Sequence, residues 1–524
     1  MKEIKFYLTI IIVGLLAFVS CDDFITKSPL DVPSETIFWQ SAEQAEMWVN
    51  DLYRGLDNHS HHAGYEAFSD NAWGRAAFTN IANGDFEPSS SIIENNWSYR
   101  IIRLSHEFFE NIDRVPEIPQ NRLNELSGQV RFMLAFQYHK LTTLYRDVPL
   151  VIDVLSIEES DVGKEQKEVV VEYILDQLDQ AINELPESWP ASETGRITRG
   201  AALALKARVL LYNERWDEAA QAAQQIIDSN QYALHPNFEE LFSGEFDNET
   251  DEVILARQYE QDIQEHDMIG PVTSLVRYYA PLSFGGWALV LPTSELQEAF
   301  EMEDGLPIDE SPLYDPAHPF DNRDPRFYHT LLWHGQELNG QTLDLTGQDF
   351  SFLIPYLGFR KYLQDLRDLN WRSHNNWILF RYADVLLMYA EAKNEATGPE
   401  ESIYNALNLI RDRAGMPAVN RVRYSNQASL REFIRNERRV ELAGEGLRYF
   451  DIIRWRIAED VLNIQVMSMN LDEWENAPLD DNDNPVLVER PVETRVFDPA
   501  KHYVWPIPQN AIDQSTVLEQ HPEW

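Results

Sequence analysis

The chain has 524 residues, and 44% of them are hydrophobic and 12% aromatic, which is typical of a large globular protein. It carries 43 basic and 87 acidic residues. The resulting net charge of −44 argues against nucleic-acid binding and against electrostatic docking to anionic lipid, because both depend on Lys and Arg. A single cysteine, Cys21, leaves no partner for a disulfide within the chain.

The first residues have the pattern of a secretory signal. Lys2 and Lys5 give a basic start, and an apolar run follows over residues 6–18. This run is long enough for a signal core but too short to span a bilayer, which needs about 20 residues. No later apolar run is as long, so we predict no transmembrane helix in the mature chain.

The position of Cys21 predicts a lipid anchor. Ser20 supplies the small residue that a signal peptidase needs, and the cysteine follows directly. We predict a cleaved signal peptide over residues 1–20 and acylation of Cys21, with residues 21–34 as an extended tether between the lipid anchor and the folded chain. Ordinary secretion with an unused thiol is the alternative.

Helical periodicity dominates the next region, residues 35–235. The predicted helices cover residues 35–56, 97–114, 124–145 and 165–185. Ser34 is the expected N-cap of the first, and Pro186 ends the last. Residues 198–229 then have small side chains (Ala202, Ala207, Ala219 and Ala223) where two helices must approach closely, which resembles a tetratricopeptide helix–turn–helix.

A second hairpin of this kind is predicted at residues 381–415, within a C-terminal helical region of residues 376–524. A generic helical hairpin is the simpler interpretation of either one. Two alanine-rich hairpins together with the earlier helix pairs favour a short solenoid. The fold class that we predict is mainly α, with tetratricopeptide-like repeats, a few short strands and all regions in one compact unit.

Residues 236–375 are rich in Gly, Pro, Asn, Asp and aromatic residues, and helical periodicity fades there. Short strands are predicted at residues 253–259 and 327–333. Two smaller irregular inserts are predicted at residues 58–96 and 470–497. Long irregular segments on a helical scaffold are typical of functional surfaces.

The sequence has no complete catalytic or metal-binding motif. "HEFFE" lacks the second histidine of a zinc-protease helix, and "DDNDNP" has proline where a calcium loop needs glycine. His59, His61 and His62 have no spaced partner and are expected to be surface residues. We therefore predict no cofactor, no metal and no enzymatic activity, with a surface glycosidase as the less favoured alternative.

The positive signal is a set of aromatic residues in the inserts, because a flat ring matches the C–H face of a pyranose while Arg and Asp side chains bond its hydroxyls. Each such ring by itself is more typical of a cover over the core. The candidate glycan-binding residues are Asp70, Trp73, Arg75, Tyr278, Tyr279, Trp287 and Trp333.

Several stretches, taken in order, resemble the SusD/RagB family of outer-membrane lipoproteins from Bacteroidetes. They are "CDDFI" at Cys21, "NNWSYRIIRLSHEFFENI" (95–112), "YRDVPLV" (145–151), "NRDPRFYHT" (322–330), "NNWILFRYADVLLMYAEAKNE" (375–395), "IRNERRVELAGEGLRYFDIIRW" (434–455) and "YVWPIPQNAIDQSTVLEQHPEW" (503–524). One departure is Arg146, which stands where the family usually has glycine. The match covers nearly the whole chain.

The resemblance implies a surface-exposed, lipid-anchored binding protein with about four tetratricopeptide-like helix pairs. It also implies a partner, a TonB-dependent barrel of the SusC type, on which the protein forms a lid and to which it passes oligosaccharide or polysaccharide. The matched motifs do not identify the ligand residues. A peptide-binding, RagB-like role is the alternative, and the net charge of −44 would suit cationic peptides. Among glycans, the same charge favours a neutral one.

Overall fold

The computed structural model describes residues 38–75, 78–244, 250–260, 263, 278–281, 286–316, 318–338, 341–343, 357–363, 373–469 and 489–524. Cys21 and the predicted tether lie outside these residues, as does most of the 470–497 insert. The predicted helix 35–56 begins only at Ala42, with Ser41 and not Ser34 as its N-cap. Within the described residues, no helix combines the length and the apolar character that crossing a membrane requires.

Helices are the main regular structure of the described residues. They are α1 (Ala42–Leu52), α2 (His59–Ala67), α3 (Ser91–Asn96), α4 (Arg100–Asn111), α5 (Gln120–Tyr145), α6 (Lys167–Glu184), α7 (Arg199–Tyr212), α8 (Trp216–Ser229), α9 (Ser294–Ala299), α10 (Pro325–Thr330), α11 (Tyr382–Thr397), α12 (Glu401–Ala414), α13 (Gln427–Glu441), α14 (Arg448–Arg454), α15 (Ala458–Leu462) and α16 (Gln509–Asp513).

The strands are short and pair antiparallel, two at a time. They are β1 (Ala72–Gly74), β2 (Val148–Pro149), β3 (Lys164–Glu165), β4 (Val253–Arg257), β5 (Val290–Pro292), β6 (Leu331–Trp333), β7 (Glu337–Leu338), β8 (Gln341–Thr342), β9 (Leu357–Phe359), β10 (Trp377–Arg381), β11 (Gln465–Met469) and β12 (Glu489–Thr494). The described pairs are β1–β5, β2–β3, β4–β10, β6–β9, β7–β8 and β11–β12.

The helical repeats pack in an ordered stack. Helix α5 lies against α6, α6 against α7, and α7 against α8, which in turn packs against α11; α12 and α13 also lie against α11. This succession of neighbouring helix pairs confirms the predicted mainly α fold with tetratricopeptide-like repeats.

The small side chains predicted at the helix contacts are buried as expected. Ala202, Ala207, Ala219 and Ala223 are all fully buried. A larger side chain at these positions would force α7 and α8 apart, because protein cores are close-packed. The alanine pattern is therefore what lets the two helices of this pair approach.

The structure corrects two predictions in the irregular regions. Residues 327–333 are not one strand, since α10 ends at Thr330 and only β6 is extended. Asp324 starts that helix by accepting a hydrogen bond from the backbone N–H of Arg326, and Pro325 has the fixed φ that suits a first helical position. The signal for this helix was thus present in "DPRF".

The 58–96 insert is likewise not irregular throughout, because α2 begins within it. Asn58 accepts from the backbone N–H groups of Ser60 and His61, and the ring of His61 completes a capping box. His59 and His62 are buried on this helix, so the prediction that they are surface residues is wrong. Where the structure is described, no group of three or more His, Cys, Asp or Glu side chains could hold a metal ion.

Arg146 ends α5 in a conformation that favours glycine, with φ 62°. A residue with a side chain is strained there by about 1 kcal/mol. Its guanidinium donates to both carboxylate oxygens of Glu523, at 2.6 and 3.2 Å, and this pair ties α5 to the C-terminus. The ion pair is a gain that glycine at this position could not supply.

Candidate functional site on the loop-rich side

Two inserts that are distant in sequence meet in one structure. Strand β1 pairs with β5, so that Trp73 lies opposite Leu291, and the N–H of Arg75 donates to the carbonyl of Leu289 at 2.8 Å. On the other side, the N–H of Leu289 donates to the carbonyl of Tyr278 at 2.9 Å. We call residues 72–75, 278–281 and 286–292 the patch.

The patch brings together five of the seven candidate residues. They are Trp73, Arg75, Tyr278, Tyr279 and Trp287. Their exposure divides them sharply: Trp287 is 37% exposed and Arg75 is half-buried, whereas the other three are buried. Within the described patch, Trp287 is the aromatic ring that solvent reaches.

The three buried rings form the base of the patch. Trp73 packs with Ala288 and Leu291. The hydroxyl of Tyr278 shares a hydrogen bond of 3.1 Å with Ser60 on α2. Tyr279 is fully buried, and its hydroxyl donates to the carbonyl of Gly444 at 3.3 Å. Burial raises the pKa of Tyr279 well above its usual range, so this hydroxyl stays protonated.

The backbone around Trp287 is constrained on both sides. A side chain at Gly286 would place its Cβ 1.8 Å from the carbonyl oxygen of Ala280, so only glycine fits there. Ala288 has φ 47°, which is rare for a residue with a side chain. Its N–H is held by the carbonyl of Ala280 at 3.2 Å. Strain of this kind is found at binding sites, where surrounding structure fixes it.

Asp70 is not a solvent-facing carboxylate. It is 3% exposed, and Arg448 donates to its two oxygens at 2.8 and 2.9 Å. Arg439 lies 2.9 Å from one of them. Burial opposes ionisation of Asp70, but the two arginines outweigh it and hold the pKa of the carboxyl below its usual range. In this arrangement Asp70 anchors the chain before β1.

Trp333 lies one strand pair away from the patch. It ends β6 opposite Leu357 of β9. Its half-buried ring packs against Phe320 and Phe327, with centroids 5.3 and 5.5 Å away. Strand β9 in turn packs against β5 of the patch, so Trp333 is linked to the patch through β9.

A network of buried arginine–carboxylate pairs supports the patch from the interior of the protein. Glu441, fully buried at the end of α13, accepts from Arg381 at 2.7 Å and from Arg326 at 3.0 Å, and it also pairs with Arg413. Burial opposes ionisation of Glu441, but these cations hold the pKa of its carboxyl well below its usual range. The "NRDPRF", "LFRYAD" and "RRVELAGEGLRY" motifs thus meet in one cluster.

The same network reaches the helix that precedes the patch. Glu445 pairs with Arg381 and, at 3.0 Å, with Lys361, while its carbonyl contacts the Nδ1 of His62 at 2.9 Å. The next N–H, of Gly446, donates to Glu66 at 2.8 Å. A cation–carboxylate scaffold therefore fixes α2, and α2 leads directly into β1.

Sequence reasoning missed this network. Its acidic and basic residues are separated by up to hundreds of positions, and charged side chains are expected at the surface unless they are paired. One available signal was the density of Arg and Glu in "IRNERRVELAGEGLRYFDIIRW", where these residues are interspersed with apolar ones. In that stretch, charges that face the core need partners from elsewhere in the chain.

Comparison with known proteins agrees with this architecture. A family model described as "SusD family" matches residues 251–524, and one described as "Starch-binding associating with outer membrane" matches residues 25–211. The SusD-like protein P25 of Formosa agariphila is 24% identical over 486 residues, which are 84% of this chain and 88% of that protein.

Solved structures share the fold over almost the whole chain. A SusD-like carbohydrate-binding protein from Bacteroides fragilis is 29% identical, with a TM-score of 0.82, over 92% of this chain and 100% of that one. A laminarin-binding SusD-like protein is 21% identical, with a TM-score of 0.70, over 93% and 100% of the two chains. The second similarity shows the fold alone.

Proposed function

Because this chain belongs to the SusD family, we propose that it is a glycan-binding lipoprotein of the cell surface. It captures an oligosaccharide or polysaccharide on the patch and passes it to a TonB-dependent barrel of the SusC type. Cys21 carries the lipid anchor in the outer membrane. The protein binds its ligand without transforming it.

The proposal rests mainly on the constrained backbone that holds Trp287. Its ring reaches solvent between a required glycine and a strained alanine, and buried aromatic residues fix the backbone beneath it. A ring held in this way loses little conformational entropy when a pyranose stacks on it. Arg75, half-buried on the adjacent segment, is the residue that we propose to bond sugar hydroxyls.

A further observation supports a carbohydrate ligand. The Bacteroides fragilis structure, which is 29% identical, is of a carbohydrate-binding protein and aligns over 92% of this chain. We propose a neutral glycan for this chain, because the net charge of −44 repels polyanions.

The proposal that the protein is not an enzyme rests on the state of its carboxylates near the patch. A glycosidase needs two carboxyl groups that face the sugar across a cleft. Asp70 and Glu66, two acidic residues close to β1, are buried, and Arg448 and the N–H of Gly446 respectively bind their oxygens. Carboxylates held in this way brace the backbone and do not face a ligand.

The test is affinity electrophoresis of the mature chain, from residue 22 onward, in native gels cast with a panel of neutral and anionic polysaccharides. One neutral polysaccharide is expected to retard the wild-type protein, and Trp287→Ala is expected to abolish this retardation. Trp216→Ala is the matched control, because Trp216 is a half-buried tryptophan on a repeat helix. It should be retarded like the wild type.

The outcomes separate the parts of the proposal. Retardation that Trp287→Ala leaves intact would keep glycan binding and contradict the site. Retardation by none of the polysaccharides would contradict glycan binding, and binding of cationic peptides would then favour the RagB-like alternative.

A further inference from the structure

A second concave surface lies outside the patch. It is a groove of about 390 Å³ between residues 149–162, the start of α4 and the C-terminal residues 511–518. This volume is within the range of ligand-binding pockets in proteins. Its lining is mainly apolar and includes Trp97, Ile102, Val151, Leu155, Val162 and Leu518.

The two walls of the groove are tied together. The carboxylate of Asp161 accepts from the backbone N–H of Thr516 at 2.9 Å and from the hydroxyl groups of Ser515 and Thr516. Lys164 donates to the carbonyl oxygens of Glu519 and Gln520, both at 3.0 Å. Since these bonds join the 152–164 loop to the C-terminal segment, the groove is formed before any partner arrives.

We call the exposed residues 152, 153, 157–159 and 517, which neighbour or belong to the lining in sequence, the rim; three of them are branched aliphatic residues. Ile157 is 90% exposed, Ile152 is 64% exposed, and Val517 on the opposite wall is 51% exposed. Single exposed apolar residues are common on protein surfaces, but a set of them around one groove is typical of an interaction site. The apolar lining continues this surface inward.

The rim is also acidic. Asp153, Glu158 and Glu159 are exposed on the same loop, and the charge of Asp153 acts on Glu159. Arg103, which also borders the groove, already donates to Glu107 at 2.7 Å. A partner therefore meets apolar side chains beside the negative charges of this loop, which Lys or Arg would complement.

The chemistry favours a protein over a sugar. Sugars stack on open aromatic faces, whereas the exposed groups at this rim are isoleucine and valine. Trp97 meets the ring of Tyr145 edge to face, at 4.8 Å and 87°, and that of Tyr99 at 5.7 Å. Its contacts within the protein thus match those of a core side chain.

We propose that this groove docks a segment of a partner protein in which apolar side chains are flanked by Lys or Arg. The groove binds the apolar side chains, and the acidic rim binds the flanking cations. This inference does not depend on glycan binding at the patch.

The probe is a short synthetic peptide with a central Leu-Ile-Leu flanked by Lys-Lys on either side, and its sister peptide has Glu in place of every Lys. Binding to the mature chain is measured by isothermal titration calorimetry at low and high NaCl. The lysine peptide should bind more weakly as salt rises, because salt screens exposed charges. The glutamate peptide should not bind.

Variants test the location of the docking site. The double variant Ile157→Ser with Asp153→Asn removes one apolar contact and one charge, and we expect the lysine peptide to bind about tenfold more weakly. The matched control is Val422→Ser with Glu432→Gln, at an 88% exposed valine and an exposed glutamate away from the groove. It should bind like the wild type.

The proposal is overturned if neither peptide binds, if the two peptides bind equally, or if the control double variant loses as much affinity as the groove variant. Concentration-dependent self-association of the chain that the groove variant abolishes would assign the groove to a second copy and also overturn it. Polysaccharide retardation should be unchanged in the groove variant. The docking proposal and the glycan proposal can therefore fail separately.

Discussion

The helical repeats and the patch are stabilised in different ways. In the repeats, helices that follow one another in sequence pack through small and aliphatic side chains, as α7 and α8 do. In the patch, partners are far apart in sequence: Ser60 and Tyr278 are separated by 218 residues, and Asp70 and Arg448 by 378. Repeats of this kind depend on local contacts, whereas the patch depends on the whole chain being folded.

The difference has a physical consequence for function. Repeat packing is spread over many contacts, each of modest energy. The base of the patch depends instead on a few buried ion pairs, which are costly to break because the remaining charge is left without a partner. The patch is therefore rigid while these ion pairs are intact, and the loss of one charged residue destabilises the patch as a whole.

Acid should have the largest effect on stability. It protonates the carboxylates of buried ion pairs beneath the patch and also in the repeats, where Asp384 of α11 pairs with Arg208 of α7. Burial raises the pKa of Asp384, but Arg438 and Arg208 outweigh it and lower this pKa to about 2. A carboxyl with a lowered pKa binds fewer protons in the folded state than in the unfolded chain, where its pKa is about 3.9. Its stabilising contribution is therefore present above about pH 4 and is lost as pH falls towards 2.

The buried histidines start this loss at higher pH. Burial lowers the pKa of His139 from 6.5 to about 3, so stability falls as pH drops below 6.5. Glu301 acts in the opposite direction. Burial raises its pKa to about 7, so its contribution to the free energy of unfolding falls as pH rises from 4.5 to 7. Urea unfolding followed by circular dichroism between pH 7.5 and 3 should show a decreasing midpoint in acid that steepens below about pH 4. A midpoint that is constant over this range would contradict the account.

The next effect in size is expected from Glu441→Ala. The variant leaves Arg326, Arg381 and Arg413 with less negative charge in a buried site, and it should lower the free energy of unfolding by about 3–5 kcal/mol. Urea denaturation measures the difference.

Glu401→Ala is the control for this variant, because Glu401 pairs with Arg421 at the surface and its side chain is 65% exposed. It should leave the urea midpoint of unfolding close to that of the wild type, because exposed ion pairs contribute little to stability. Equal losses for Glu441→Ala and Glu401→Ala would show that the buried network has no special role.

Two tryptophan variants sharpen the distinction between the base of the patch and its exposed ring. Trp73→Ala removes a buried ring and should cost about 3 kcal/mol of stability. Trp287→Ala removes an exposed ring and should cost less than about 1 kcal/mol while it abolishes polysaccharide retardation. Thermal unfolding and affinity gels on both variants provide the check. A Trp287→Ala protein that is as destabilised as Trp73→Ala would make Trp287 a packing residue.

The sequence predicted the repeats well because their signals are local. Alanine spacing and turn residues placed both helix pairs to within a residue or two, and the fold class followed. The helices α2 and α10 were missed, although Asn58 and Asp324 were capping signals for them. The aromatic composition of the inserts, on which the site prediction was based, does not reveal these two helices.

The candidate site was only partly predictable for the same reason. Residue type and location in the inserts pointed to seven side chains. Strand pairing and backbone hydrogen bonds bring five of them to one patch. Which ring meets solvent is decided by long-range contacts such as those of Tyr278 with α2 and of Asp70 with Arg448. Such contacts leave no periodic trace in the sequence.

The most direct test of glycan binding at the patch is a crystal structure of the mature chain with an oligosaccharide derived from the polysaccharide that retards it. We expect a pyranose ring stacked on Trp287, with Arg75 within hydrogen-bond distance of a sugar hydroxyl. A sugar bound elsewhere, with the ring of Trp287 in contact only with solvent, would contradict it.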